Sequence, residues 1–121
     1  SAVPCFVSIN FEIVKDVGES APDLDAIRVA IADKVNSLNF PGSLYASQIL
    51  DVTHNHLTGT QAVGKLDMHG TIRRPDGQVV TIRDNAILAI PNSPSTLVTP
   101  RTTVFILYPE DVGLTVTNRS N

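Results

Sequence analysis

From Val3 to Val14 the chain alternates: Val3, Cys5, Val7, Ile9, Phe11 and Ile13 fall on one side, and Ser8, Asn10 and Glu12 on the other. Successive side chains of a strand point to opposite faces, so this run predicts a long strand with one face for a core and one for water. Asp16-Val17-Gly18 then reads as a turn. Beyond it the period changes. Leu24, Ile27, Ile31, Val35 and Leu38 recur at spacings of three and four, the stripe of an amphipathic helix. Ser20 is placed to cap that helix, Pro22 fits its first turn, and Asp23 suits the positive end of its dipole. Asp25 and Arg28 are spaced to pair, and Asn39-Phe40-Pro41-Gly42 ends the helix because Pro41 cannot continue it.

Ser47 reads as the cap of a second, shorter helix, with Ile49, Val52, Thr53 and His56 on one face, Leu50 and Leu57 on its flank, and Thr58-Gly59 closing it. A strand is expected near Ala62 to Leu66. From Asp67 the pattern becomes a hairpin: Met68, Gly70 and Ile72 alternate with His69, Thr71 and Arg73, Pro75-Asp76-Gly77 turns the chain, and Val79 to Arg83 returns. In that turn Pro presets φ, Asp bonds back to the backbone and Gly accepts positive φ. Ala86 to Ile90 is a short apolar run, followed by a loop bounded by Pro91 and Pro100. Thr102 to Tyr108 is rich in β-branched and aromatic residues, a strong strand. Pro109-Glu110-Asp111 turns into Val112 to Val116, a closing edge strand, and Thr117 to Asn121 reads as a frayed polar tail. The order predicts an α+β fold: a mixed, mostly antiparallel sheet with two helices packed on one face, its central strands Val3–Val14 and Thr102–Tyr108.

At 121 residues this is one domain, spanning 1–121. It opens at once into a strand, with Ser1 where an initiator Met would stand, which reads as a processed chain or a domain excised from a larger protein. With no Trp, two Tyr and four Phe, the core has to be built from Val, Ile, Leu and Ala. A net charge of −3 lacks the basic footprint that phosphate binding draws on, so nucleic acid is not an expected partner. Arg73, Arg74 and Arg83 cluster on the hairpin and read as a solvated strand face. No apolar run approaches the roughly 18 residues that a membrane span takes, so no membrane is expected. Ser8, Asn10 and Glu12 interrupt the first apolar run, so it does not read as a signal peptide. Cys5 is the single cysteine and sits on the apolar side of its strand, which makes it a small buried hydrophobe.

The search for chemistry returns little. His54 and His56 would suit a metal on a strand, but on a helix residues two apart diverge by about 200°. One should therefore face inward and the other out. Asp67 and His69 share a strand face, without a nucleophile at a strained turn nearby. The glycines are scattered rather than gathered into a phosphate-binding loop. The carboxylate pairs Asp23/Asp25 and Glu110/Asp111 are explained by a helix start and a turn. Asn118-Arg119-Ser120 matches a glycosylation acceptor, a triplet common by chance. No catalytic residue, metal site or cofactor is expected, and the chain does not read as an enzyme.

Ala2-Val3-Pro4-Cys5-Phe6-Val7-Ser8-Ile9, the helix after it, and Leu44-Tyr45-Ala46-Ser47-Gln48-Ile49 with its downstream valine resemble the phage baseplate J-like proteins, components of contractile tails. The closing Thr99-Pro100-Arg101-Thr102-Thr103-Val104-Phe105 and Tyr108-Pro109-Glu110-Asp111-Val112 are similar to tail-protein endings in that group. The segment from Asp67 to Ile90 is longer than the family's general pattern. The resemblance implies a structural, multi-copy role in the virion tail baseplate, assembled in the host cytoplasm, with other baseplate and tail subunits as partners in a homo- or hetero-oligomer. Candidate interface residues are Val112, Leu114 and Val116, as a strand offered to a neighbour, and Pro94, Leu97 and Arg101 in the proline-stiffened loop. The alternative is a host-surface glycan or peptide binding module built on the Arg73–Arg83 hairpin.

Overall fold

The structure, a computed structural model, describes residues 3–37, 44, 46–73, 79–83 and 103–119. Its axis is β1 (Val3–Lys15), thirteen residues long and the centre of a five-stranded sheet. β2 (Ala62–Arg73) pairs antiparallel with β1, and β3 (Val79–Arg83) antiparallel with β2. On the other side of β1, β4 (Thr103–Ile106) and β5 (Val112–Asn118) both run parallel to it, end to end. β4 lies beside Val3–Phe6 and β5 beside Ile9–Lys15, with a short 3₁₀ turn at Pro109–Asp111 between them. The expected α+β class and mixed sheet are present. Thr102–Tyr108 was expected in the centre, but among the described residues β4 is an edge strand, because it shares one side of the long β1 with β5. The second central strand is β2.

Alternation builds the core. Cys5, Val7, Ile9, Phe11 and Ile13 are 0–4% exposed and point at the helices. α1 (Leu24–Asn36) answers with Ile27, Ile31, Ala32 and Val35, and α2 (Ala46–His54) with Ile49, joined by Leu44, Met68, Ile72, Phe105, Leu107 and Val112. Each fully buried aliphatic side chain contributes about 1.5–3 kcal/mol. Gly70 belongs to this packing, since a Cβ there would lie 2.6 Å from the Cys5 Sγ. The same burial pushes the Cys5 thiol up to about 12, that of an inert core residue.

Polar side chains fasten α1 to the sheet. Asn36 Nδ2 donates to the Leu107 carbonyl at 2.9 Å, and its Oδ1 accepts from the Leu107 N–H at 3.0 Å. Arg28 Nε donates to the Val112 carbonyl at 3.1 Å, and the expected pair of Arg28 with Asp25 forms at 2.8 Å. The helix is thus pinned on both sides of the 3₁₀ turn, where the backbone would otherwise lack strand partners.

Several local expectations are corrected. Asp23, not Ser20, caps α1: its carboxylate accepts from Ala26 N–H, because the extended backbone beyond Pro22 starts the helix at Leu24. The Ser20 carbonyl instead accepts from Gln61 Nε2 at 3.1 Å. α2 already includes Ala46, so Ser47 lies inside the helix rather than capping it. It ends at His54, which leaves both His54 and His56 exposed instead of one inward and one outward. The separate strand near Ala62 and the first arm of the hairpin are one strand, β2, with a bulge. Asn10 faces Asp67 and Glu12 faces Gly64, so Lys65 and Leu66 stand opposite Phe11 alone. Lys65 takes the left-handed position of that bulge, at φ +54°.

The expected frayed tail is ordered as far as Arg119. Thr117 and Asn118 belong to β5, and Arg119 N–H donates to the Lys15 carbonyl at 2.8 Å. Arg119 Nη1 bridges Asp16 Oδ1 at 2.8 Å and the Thr60 carbonyl at 2.6 Å. Beside it the Glu19 carboxylate accepts from Thr58 and Thr60 hydroxyls and from the Asp16 N–H. Gly18, at φ +86°, makes the turn that brings Glu19 there. Leu38, the Pro41 helix stop, the Pro75-Asp76-Gly77 turn, the 86–90 run and the proline loop lie outside the described residues.

Candidate docking surface

Both helices cover one face of the sheet. Among the described residues nothing covers the opposite face, and its composition follows from the register. Phe6 sits between Thr71 of β2 and Ile106 of β4; Ser8 faces His69; Asn10 lies between Asp67 and Gly113; Glu12 faces Thr115. This face divides into two ends.

The end near the start of β1 is apolar. Phe6 is 40% exposed, Val104 45% and Tyr108 48%. The Phe6 and Tyr108 rings stack with centroids 6.3 Å apart and planes 22° from parallel. Ile106, register partner of Phe6, is half-buried in the same patch. These residues come from β1 and from both ends of β4, so the fold rather than the sequence gathers them.

The other end is polar. A shallow concavity of about 400 Å³ is lined by Asn10, Phe11, Glu12, Lys65, Gly113, Leu114 and Thr115. The Glu12 carboxylate accepts from Thr117 Oγ1 at 3.0 Å and lies 4.0 Å from Lys65 Nζ. Gly113 leaves room for the Asn10 side chain, which a Cβ would displace. Between the two ends, His69 Nδ1 is buried without a hydrogen-bond partner among the described residues.

The candidate interface residues Val112, Leu114 and Val116 lie on β5, on the face that the helices cover. Val112 is in the core at 2% exposure, Leu114 packs against that core, and Val116 is half-buried on the same covered face. β5 closes this domain's own sheet, so those apolar side chains are used internally. Pro94, Leu97 and Arg101 lie outside the described residues, as do the side chains of Arg73, Arg74 and Arg83 in the hairpin. Asp67 and His69 do share the open face, whereas α2, ending at His54, packs on the other. Among the described residues no three of His, Cys, Asp and Glu gather to hold a metal ion.

Phe6, Val104 and Tyr108 were missed by pattern reading, although a signal was there. Phe6 is an aromatic residue at a water-facing position of β1, in series with Ser8, Asn10 and Glu12. No protein-family model matches this chain, and no curated protein is significantly similar to it. No helix among the described residues is long and apolar enough to cross a membrane.

Proposed function

We propose that this chain is a structural domain of a phage or phage-like contractile-tail baseplate. It mediates assembly between subunits, without an enzymatic role or a cofactor, in a virion part put together in the host cytoplasm. The observation that carries the assembly role is the apolar patch of Phe6, Val104, Ile106 and Tyr108 on the open face. A β-sheet face left to water is normally polar, and a contiguous apolar patch on it marks a place that a partner covers. The assignment to a baseplate rests on the resemblance of the Ala2–Ile9, Leu44–Ile49, Thr99–Phe105 and Tyr108–Val112 strings to the J-like proteins.

Two measurements test this. Immunogold microscopy with an antibody against the chain should label the distal end of contractile tails; antigen found only in a soluble fraction, on no particle, overturns the baseplate assignment. The double substitution Phe6→Ser/Tyr108→Ser removes a half-buried stacked pair and should cost about 1–3 kcal/mol of folding stability, leaving the fold intact by circular dichroism, while preventing incorporation into particles. Normal incorporation would remove the patch from the docking role.

A further inference from the structure

The two edges of the sheet are not alike. β3 is five residues long, begins opposite Arg73 and ends in Arg83, charges of the kind that discourage strand pairing. β5 reads Val-Gly-Leu-Thr-Val-Thr-Asn over seven residues, with neither a charge nor a proline. Among the described residues it pairs with β1 alone, so its outer rim of backbone groups faces away from the sheet, the Val112 carbonyl at its start being held by Arg28 Nε. Its flanks carry opposite signs: Glu110 and Asp111 precede it, and Arg119 follows it.

A strand that is neutral along its length, acidic at one end and basic at the other is complementary to itself when reversed. We propose that β5 pairs antiparallel with β5 of a second copy of this chain, about a two-fold axis through Thr115, joining two sheets into one. In that register Leu114 faces the second copy's Val116, Gly113 its Thr117, and Asp111 its Arg119, which would exchange the exposed intrachain contact with Asp16 for one across the axis. The half-buried Leu114 and Val116 cover each other on the helical side, and Thr115 meets Thr115 on the open side. A parallel pairing would instead set Asp111 beside Asp111. The isologous contact closes on itself, so it makes dimers and not fibres. A seven-residue strand pair is smaller than a standard interface of about 1,600 Å², so the dimer is weak alone and gains from further contacts in an assembly. The inference rests on the assembly role proposed above and names one partner, a second copy, for one edge.

Cysteine cross-linking tests it in the 121-residue chain. Thr115 is exposed, so Thr115→Cys leaves the core intact, and the native Cys5 is buried and unreactive. Directly opposed residues of an antiparallel pair lie about 4.5–5.5 Å apart at Cα, within disulfide reach. Under mild oxidation Thr115→Cys should form a covalent dimer at least about tenfold faster than Val79→Cys on the β3 edge, a contrast set by proximity alone. Adding Asp111→Arg should slow it several-fold, because two arginines then meet at each end. Equal rates for Thr115→Cys and Val79→Cys, or no effect of Asp111→Arg, would overturn the pairing. Sedimentation of the unmodified chain gives a reading that needs no variant: mass rising with concentration supports the pairing, and a monomer up to about 1 mM refutes it. A monomer that still labels tail tips would refute β5 pairing alone, whereas a β5 dimer found on no particle would refute the baseplate assignment alone.

Discussion

β1 carries two faces on one backbone, and they differ in completeness. Toward the helices, every odd-numbered side chain from Cys5 to Ile13 is sealed by α1, α2, β2 and β4 or β5. Toward the open side, Ser8, Asn10 and Glu12 have polar surroundings, but Phe6 stays 40% exposed beside Val104 and Tyr108. Among the described residues the covered face is complete and the open face is not. Strand alternation therefore explains stability on one side, and on the other leaves the apolar patch on which the proposed docking role rests. The sharpest way to expose the difference is a pair of neighbours. Ile9→Ala removes a fully buried side chain and should cost about 2–5 kcal/mol, whereas Ser8→Ala should stay within about 0.5 kcal/mol. Urea unfolding of both variants measures it. Equal costs would mean that the open face is as tightly packed as the core.

The covered face also predicts what it will not accept. A methyl group at Gly70 meets the Cys5 sulfur at 2.6 Å, so Gly70→Ala should lose about 1–3 kcal/mol through overpacking. Cys5→Ala removes that sulfur. The double variant should then be more stable than the sum of the two single losses implies, by about 0.5–3 kcal/mol of coupling. Strict additivity in a double-mutant cycle would show that the backbone yields at Gly70 and that the packing there is loose.

The covered face was legible because it obeys a period. Val3–Ile13 and Leu24–Val35 announce a strand and a helix through spacing alone, and Cys5, Val7, Ile9, Phe11, Ile13, Ile27, Ile31 and Val35 of those stripes are in the core. The open face was legible only as an absence of period, and Phe6 passed unnoticed among polar neighbours. Val104 and Tyr108 join it only through parallel pairing of β4 with β1 across the whole length of the chain. No local pattern encodes that contact. The same non-locality hid the edge position of β4, whose residues favour strand without saying how many neighbours a strand has. Val112, Leu114 and Val116 illustrate the converse: alternation marked them as apolar, and the sheet used them for itself. The clasp of Asp16, Glu19, Thr60 and Arg119 joins three stretches distant in sequence, so a polar tail that looks frayed is anchored.

Acid separates the core from this clasp. Among the described residues the covered face buries only Thr53 and Gln61 besides apolar groups, and neither titrates. Glu19 does titrate. Its hydrogen bond from Thr60, with further ones from Asp16 and Thr58 and the nearby Lys15 charge, holds its carboxyl below the usual carboxylate range despite an opposing desolvation. A group whose pKa is lowered by folding adds stability above its unfolded pKa and loses it as pH falls through the folded one. Thr60→Val should therefore lower stability by a constant amount at neutral and alkaline pH and, as a result, shrink the further loss seen on the acid side. An identical acid limb in the variant would show that this clasp does not couple folding to protonation.

The smallest expected effect lies where the two faces meet the bulge. Lys65 holds φ +54°, a conformation costing a non-glycine residue about 1–2 kcal/mol. Its ion pair with Glu12 is stretched to 4.0 Å and its side chain is 83% exposed, so the pair returns little. Lys65→Gly removes the strain but adds about 0.5–1 kcal/mol of backbone entropy to the unfolded chain. The two terms nearly cancel, with relief the larger, and the variant should gain a few tenths of a kcal/mol. Lys65→Ala makes the sign readable, because it loses the ion pair while keeping the strain. If Lys65→Ala matches the parent and Lys65→Gly exceeds both in denaturant midpoint, backbone geometry and not charge governs the bulge. If Lys65→Ala falls well below both, the Glu12 contact carries more weight than its length implies, and the polar end of the open face is held by electrostatics.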